Sequence, residues 1–147
     1  PHFAISIALK SKNEIVSGVI YDPIKDEMFF AEKDNGAFLN NHRMRVSSKN
    51  DINNCLFAIG GKFQTKLDFP NRKSGCAALD LAYVASGRLD GYVQDNLNLW
   101  DIAAGIILVK EAGGLMNEID LNKTENLNVI ASSVNINDKF RKKIGNF

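Results

Sequence analysis

Cysteine and one-signed charge are scarce in this sequence, and each scarcity narrows what the chain can be. Only two cysteines, Cys55 and Cys76, are present. Nothing in their spacing suggests a disulfide framework or a zinc site, so a reducing cytoplasm is the expected compartment. The 18 basic and 17 acidic residues leave a net charge of +1, which supplies no electrostatic drive toward nucleic acid or an anionic membrane. The basic residues that do cluster, Lys139, Arg141, Lys142 and Lys143, suit the last turn of a helix, where they complement its dipole. No apolar run approaches the roughly 20 residues that span a bilayer. No signal peptide precedes the strand pattern that begins at Pro1-His2-Phe3. A chain that lacks its own Met start and enters directly in a strand reads as an excerpt of something longer. Phosphate-cradling glycine loops of the P-loop or dinucleotide type are missing too. His2 and His42 stand in a strand and a turn with no nucleophile elbow beside them, so lone structural histidines are expected.

What is present reads as a layered protein with a real core. Phe3, Ile5, Ile7 and Leu9 alternate with Ala4, Ser6 and Ala8, which is the period of a strand. Strand patterns follow over 14–21 and 27–32, with Asp22-Pro23-Ile24-Lys25-Asp26 as the turn between them. Ala37–Leu39 and Met44–Val46 extend the antiparallel meander. Residues 51–54 suggest a single helical turn, and Cys55–Ile59 a buried strand. Residues 60–71 read as loop. Ser74–Ser86 has helical spacing, with Ser74 as its cap and Gly87 as its stop. Strands are predicted over 89–93, 115–119 and 128–131, and a last helix over 138–144 capped by Asn135 or Asn137. Strands first, then helices alternating with strands, imply an α/β (α+β layered) fold whose second sheet is helix-covered on both faces.

The stretch Leu97–Gly114, LNLWDIAAGIILVKEAGG, is the most informative. Residues 102–109 are apolar or small nearly all round, so this helix is expected to be buried, with Gly113-Gly114 ending it. Asp101 reads either as the cap of that helix or as a metal ligand held at a site mouth. Asp90 and Asp101 bracket a strand end and a helix start, where ligands bind in layered α/β folds. Gly75 opens a second helix toward the same crevice. At the start of that helix the Cys76 thiol would ordinarily be acidified, although a small side chain at a tight approach explains it as well. Two helix N-termini facing one cleft, with one carboxylate, do not define a reaction.

At these residues the chain resembles the inositol monophosphatase family, in its bacterial SuhB-like branch. WDIAAGIILVKEAGG matches the family's second motif, W-D-x-A-A/G-G followed by E-A-G-G. RKSGCAALDLAYVASGRLDGY, PHFAISIALK and GVIYDPIKDEMFFAEKDNGAFLNNHRMRVS resemble the segments around it. The resemblance implies an αβαβα sandwich, incomplete here. Residues 1–147 would form the C-terminal portion of one catalytic domain, with 1–50 its antiparallel sheet part and 51–147 its α/β part. It implies a homodimeric, Mg²⁺-dependent phosphomonoesterase acting on inositol 1-phosphate or a similar sugar phosphate. In that chemistry one ion activates the attacking water, and the ions together neutralise the leaving phosphate. Asp101 falls on a metal-binding Asp, and Gly75, Cys76 and Ala77 fall on the segment that contacts the substrate ring. Gln94 falls where many members carry a Glu that bonds a substrate hydroxyl. The family's first motif, D-P-x-D-G-T, and an upstream Glu, which supply the other metal ligands, are missing. Asp22–Asp26 only mimics that motif, since it lacks the second Asp and the Gly-Thr. These 147 residues alone are therefore expected to be inactive. Members also usually carry a longer, helix-containing insert where this chain has Lys62–Asn71. The same resemblance keeps open a related sugar bisphosphatase or nucleotide phosphatase, and a non-catalytic protein that contacts RNA polymerase or its elongation factors.

Overall fold

The structure, a computed structural model, describes residues 1–61 and 68–145. β1 (Ile5–Ser11), β2 (Glu14–Asp22), β3 (Glu27–Glu32), β4 (Gly36–Leu39) and β5 (His42–Arg43) form a five-stranded antiparallel meander in sequence order. Short polar turns between β-rich runs leave this arrangement as the nearest pairing. The pairing expected of Met44–Val46 is made one step earlier, by His42 and Arg43. Met44 then donates to Ala37 O at 2.9 Å, and Val46 turns away to donate to Ala112 O at 3.1 Å. Asp22 explains the hairpin between β2 and β3: its Oδ1 accepts from the N–H groups of Ile24 and Lys25 at 2.9 and 3.2 Å. The carboxylate that mimics a metal motif is thus the core of an Asx turn.

The second sheet comprises β6 (Phe57–Ile59), β7 (Asn71–Arg72), β8 (Gly91–Leu97), β9 (Leu115–Met116) and β10 (Leu127–Ser132), in the order β7-β6-β8-β10-β9. β6 pairs in parallel with β7 and β8, whereas β10 pairs antiparallel with β8 and β9. The loop expected over 60–71 therefore ends in a strand residue, Asn71; residues 62–67 of it lie outside the described residues, and with them most of the short link noted above. β9 is also shorter than its sequence pattern, because Asn117 leaves the strand: its side chain accepts from Ile130 N–H and donates to Asn128 O.

Helices α1 (Ala77–Ala85) and α2 (Leu99–Glu111) lie between the two sheets, and α3 (Asn137–Ile144) covers the far face of the second. These are four layers, sheet, helices, sheet and helix. The far-side layer is a small aromatic core in which Phe140 stacks on Phe57, with ring centroids 4.5 Å apart, and Phe69 packs at 4.4 Å from Phe57. α3 is not capped by Asn135 or by Asn137. Asn137 is its first residue, donating to Ser132 Oγ at 2.9 Å and accepting from Arg141 Nε at 3.1 Å.

The face of β1 that packs inward is the small one. Ala8 lies opposite Gly18, and Gly18 lies under α2, where an added Cβ would stand 2.9 Å from Ala104 Cα. Only small side chains admit the helix this closely. Phe3, Ile5, Ile7 and Leu9 consequently point away from α2 and are 50%, 53%, 63% and 60% exposed, continuing across the sheet to Met28. A contiguous apolar sheet face of this kind drives association. The 147-residue chain by itself is expected to run above its monomer mass in light scattering, and Ile7→Lys to lower that mass. A monomer at all concentrations would show that this face tolerates water.

Candidate functional site

β6 and β8 run parallel, and their C-terminal ends open a crevice of about 620 Å³. Its wall includes Gly60, Lys73, Gly75, Cys76, Gln94 and Asp101. The crevice at strand C-termini is where layered α/β proteins bind ligands, because helix N-termini converge there. A hollow of about 690 Å³ on the first sheet, lined by Tyr21, Met28, Phe30 and Phe38 among others, belongs to the exposed apolar face instead. Its carboxylate, Asp26, is already bonded to Tyr21 OH at 2.8 Å.

Gly75, Cys76 and Ala77 form the turn into α1. Gly75 adopts φ +85°, and an added Cβ would meet nothing within 4 Å. Glycine is needed there for its backbone angle rather than for space. The helix begins at Ala77 with Cys76 as its cap, two residues later than the cap expected at Ser74. Ser74 serves the turn differently: its Oγ accepts from Cys76 N–H at 3.2 Å and donates to Asp80 Oδ2 at 2.7 Å. The expected acidification of Cys76 is reversed. Burial pushes its thiol above the ordinary value, outweighing backbone N–H groups of the first turn.

Asp80, which sequence reasoning missed, is 2% exposed. Burial raises its carboxyl to about 6, against the lowering effect of the Ser74 hydrogen bond. Because the folded value lies above 3.8, the folded state binds this proton more tightly than the unfolded chain does. The contribution is therefore favourable at low pH and is lost as pH rises from about 3.8 to about 6. Ionised Asp80 costs the fold about 3 kcal/mol at neutral pH, at about 1.4 kcal/mol per pKa unit. Asp80→Asn is expected to gain stability relative to the parent by about 1 kcal/mol more at pH 8 than at pH 5, read from urea unfolding at both values. An equal difference at both would contradict the linkage.

Asp101 is not the cap of α2. Asn98 is the cap, and Asp101 stands three residues on, its Oδ2 accepting from Asn98 N–H at 3.1 Å. The other oxygen, Oδ1, makes no hydrogen bond among the described residues, and the side chain borders the crevice. The capping role expected of Asp101 thus falls to Asn98, which Asp101 supports from the first turn of the helix. Asp90 is different. It precedes β8 at the opposite end of the strand, 1% exposed, with Oδ2 held by Leu56 N–H at 2.7 Å and Lys49 Nζ at 3.0 Å. It belongs to the fold and not to the crevice. Lys73 was not singled out from sequence, and Trp100, 59% exposed, entered only as the start of the motif; both line the crevice beside the predicted residues.

Mg²⁺ needs several oxygen donors. Among the described residues no group of three or more His, Cys, Asp or Glu stands close enough to share an ion. Asp101 offers one free carboxylate oxygen, so the residues of this chain do not by themselves fit a Mg²⁺ pair. No described helix is long and apolar enough to cross a membrane.

Comparison with known proteins agrees with this architecture. Residues 1–144 match the inositol monophosphatase family. Nus factor SuhB of Haemophilus influenzae is 42% identical, covering 98% of this chain and 60% of that protein. Inositol-1-monophosphatase of Mesorhizobium japonicum is also 42% identical, covering 82% of this chain and 51% of that one. The solved structure of the extragenic suppressor protein SuhB from Bartonella henselae superimposes with a TM-score of 0.86 at 41% identity, over 96% of this chain and 63% of its own. The chain thus spans between half and two thirds of each relative. It belongs to the inositol monophosphatase family.

Proposed function

We propose that the protein carrying this chain is a Mg²⁺-dependent phosphomonoesterase that hydrolyses inositol 1-phosphate or a similar sugar phosphate. The chain supplies one wall of its active site, as the C-terminal portion of a single catalytic domain. The observation that carries this reading is the convergence of α1, α2 and the ends of β6 and β8 on one crevice with Asp101 at its edge. The first-turn N–H groups of α1 lack intrahelical partners and favour a phosphate or an electronegative ring oxygen. Gly75, Cys76 and Ala77 shape that wall, and Lys73 adds a cation. Asp101 contributes one metal donor, with the remaining donors contributed from outside these residues, so the 147 residues alone release no phosphate.

The test is phosphate release by the longest natural polypeptide that carries this chain, against a panel of sugar monophosphates, a sugar bisphosphate and a nucleotide. Release from the inositol ester that requires Mg²⁺ and stops with a chelator is the expected result. Release that survives chelation, or none from any ester, would refute the reading. A second reading, a protein that acts through RNA polymerase or elongation-factor contacts, is favoured by one observation. The relative named as a Nus factor is as similar to this chain as the one named as a phosphatase. Recovery of transcription proteins with a catalytically silent polypeptide would establish it. A homodimer in a reducing cytoplasm suits both readings.

A further inference from the structure

Asp80 stands in the first turn of α1 and is tied to the turn Gly75–Ala77 that lines the crevice. Its N–H donates to Cys76 O at 3.0 Å, and its Oδ2 accepts from Ser74 Oγ at 2.7 Å. The same Ser74 oxygen accepts from Cys76 N–H at 3.2 Å. The buried carboxylate therefore lies one side chain behind the crevice wall. Helix α1 packs against α2, β8, β2 and β10, and among the described residues none of them turns a cation to Asp80. β8 brings the buried Tyr92 hydroxyl, and α2 brings Asp101 at the crevice edge, with Lys110 and Glu111 at its other end. On β2, Asp22 is bound into its own hairpin and Glu14 pairs with Lys33; β10 bears no charged residue. Tyr92 and Cys76 stay protonated, chiefly through burial and also through the Asp80 charge. The field of Asp80 thus reaches the crevice wall at Cys76.

An ionised group here serves the fold poorly. Asparagine could accept the same hydrogen bond from Ser74 without the cost of a buried charge, and a perturbed titratable group beside a cleft points to function. Ionised Asp80 also takes for itself the positive end of α1, which an anion in the crevice would otherwise meet; neutral Asp80 leaves that end free. We propose that Asp80 couples the crevice to a proton: an anionic ester bound at the Gly75–Ala77 turn is held more tightly when Asp80 is neutral, and its binding draws a proton from solvent onto Asp80. Such coupling is reciprocal. The bound anion raises the carboxyl above its value of about 6 in the free protein, so affinity is full below that pH. It falls as pH rises toward the value of the complex, and then levels. The inference rests on the phosphomonoesterase reading for the identity of the ligand, and on the Ser74–Asp80 contact for the coupling.

The probe is inositol 1-sulfate, whose charge is constant from about pH 5 to about pH 8, unlike a phosphate ester with its second ionisation at about 6. Its binding to the longest natural polypeptide that carries this chain is measured by calorimetry with Mg²⁺ present, in steps across that range. Two buffers of different ionisation enthalpy report the proton taken up. Across the range, affinity is expected to fall about five- to tenfold more in the parent than in Asp80→Asn, the usual size of a coupling between sites. Proton uptake is expected to be larger in the parent. In Ser74→Ala the carboxyl loses a donor that favours its charged form, so the pH at which affinity falls is expected to move upward. Identical profiles in the parent and Asp80→Asn, a midpoint that Ser74→Ala does not raise, or no binding at any pH overturns the inference. Mg²⁺-dependent phosphate release decides the phosphatase reading separately. Coupling without release supports the inference and overturns that reading; release without coupling does the reverse.

Discussion

Asp101→Asn is expected to lower Mg²⁺-dependent phosphate release by the longest natural polypeptide that carries this chain by 10²-fold or more, the order found when one preorganised electrostatic partner of a reacting group is removed. Asparagine is the informative replacement because it separates the two duties of this side chain. Its carbonyl oxygen can still accept from Asn98 N–H, the bond made at 3.1 Å by Oδ2, so the start of α2 is preserved. What is lost is the negative charge, without which a hard cation is held poorly. Asp101→Ala removes both, and adds about 1 kcal/mol of destabilisation from the lost capping interaction. The pair of variants is read by activity and by thermal unfolding together. Activity lost in both, with stability lost only in alanine, is the expected pattern. Full activity in the asparagine variant would leave Asp101 as a helix-capping residue alone.

Gly105→Val is expected to be the most damaging single change in the core. Gly105 is the point where α2 crosses α1, and an added Cβ would stand 2.4 Å from Leu81 Cδ1 and 2.6 Å from Leu81 Cβ. The second distance matters more, because Leu81 is fully buried and its Cβ cannot swing aside without moving α1. Replacing a helical glycine normally gains up to about 1 kcal/mol. Here overpacking opposes it, at about 1–3 kcal/mol for extra carbons in a filled core, and valine adds three. Retreat is closed on the other side as well, since Gly18 of β2 brings α2 to within contact of the first sheet. A net loss of about 3 kcal/mol is expected from denaturant unfolding, a large share of the 5–15 kcal/mol typical of a domain. Gly105→Ala is expected to lose less but still to lose. An alanine variant more stable than the parent would show that α1 and α2 have slack between them.

The helix α2 was legible because its residues are apolar nearly all round and its stop is a glycine pair. The meander of β1 to β5 was legible from alternation and turn chemistry. Other features depended on contacts between distant residues. Nothing local in FAISIAL says which face is buried; Gly18 and Ala104 decide it, by admitting α2 only over the small side chains. Asp90 looked like a site residue because it and Asp101 bracket a strand and a helix start in the sequence, but it stands just before β8, at the end away from the crevice, where Lys49 and Leu56 from a distant segment satisfy one of its oxygens. The residues named in advance, Gly75, Cys76, Ala77, Gln94 and Asp101, line one crevice; helix starts pointed to Gly75 and Asp101, and the family resemblance to Cys76, Ala77 and Gln94. Asp80 was hidden, because a polar residue in the middle of a helix pattern gives no sign that Ser74 will reach it.

The central claim, that the crevice holds metal and phosphate together, is tested most directly by crystallography. The longest natural polypeptide that carries this chain would be crystallised with Mn²⁺ and inorganic phosphate, and the metal located by its anomalous signal. The account predicts an ion bonded to Asp101 at about 2.1 Å, as for a small hard cation, with phosphate beside it facing the N-terminus of α1. Strong anomalous density elsewhere, with Asp101 bonded to Asn98 alone and the crevice holding only water, would contradict it.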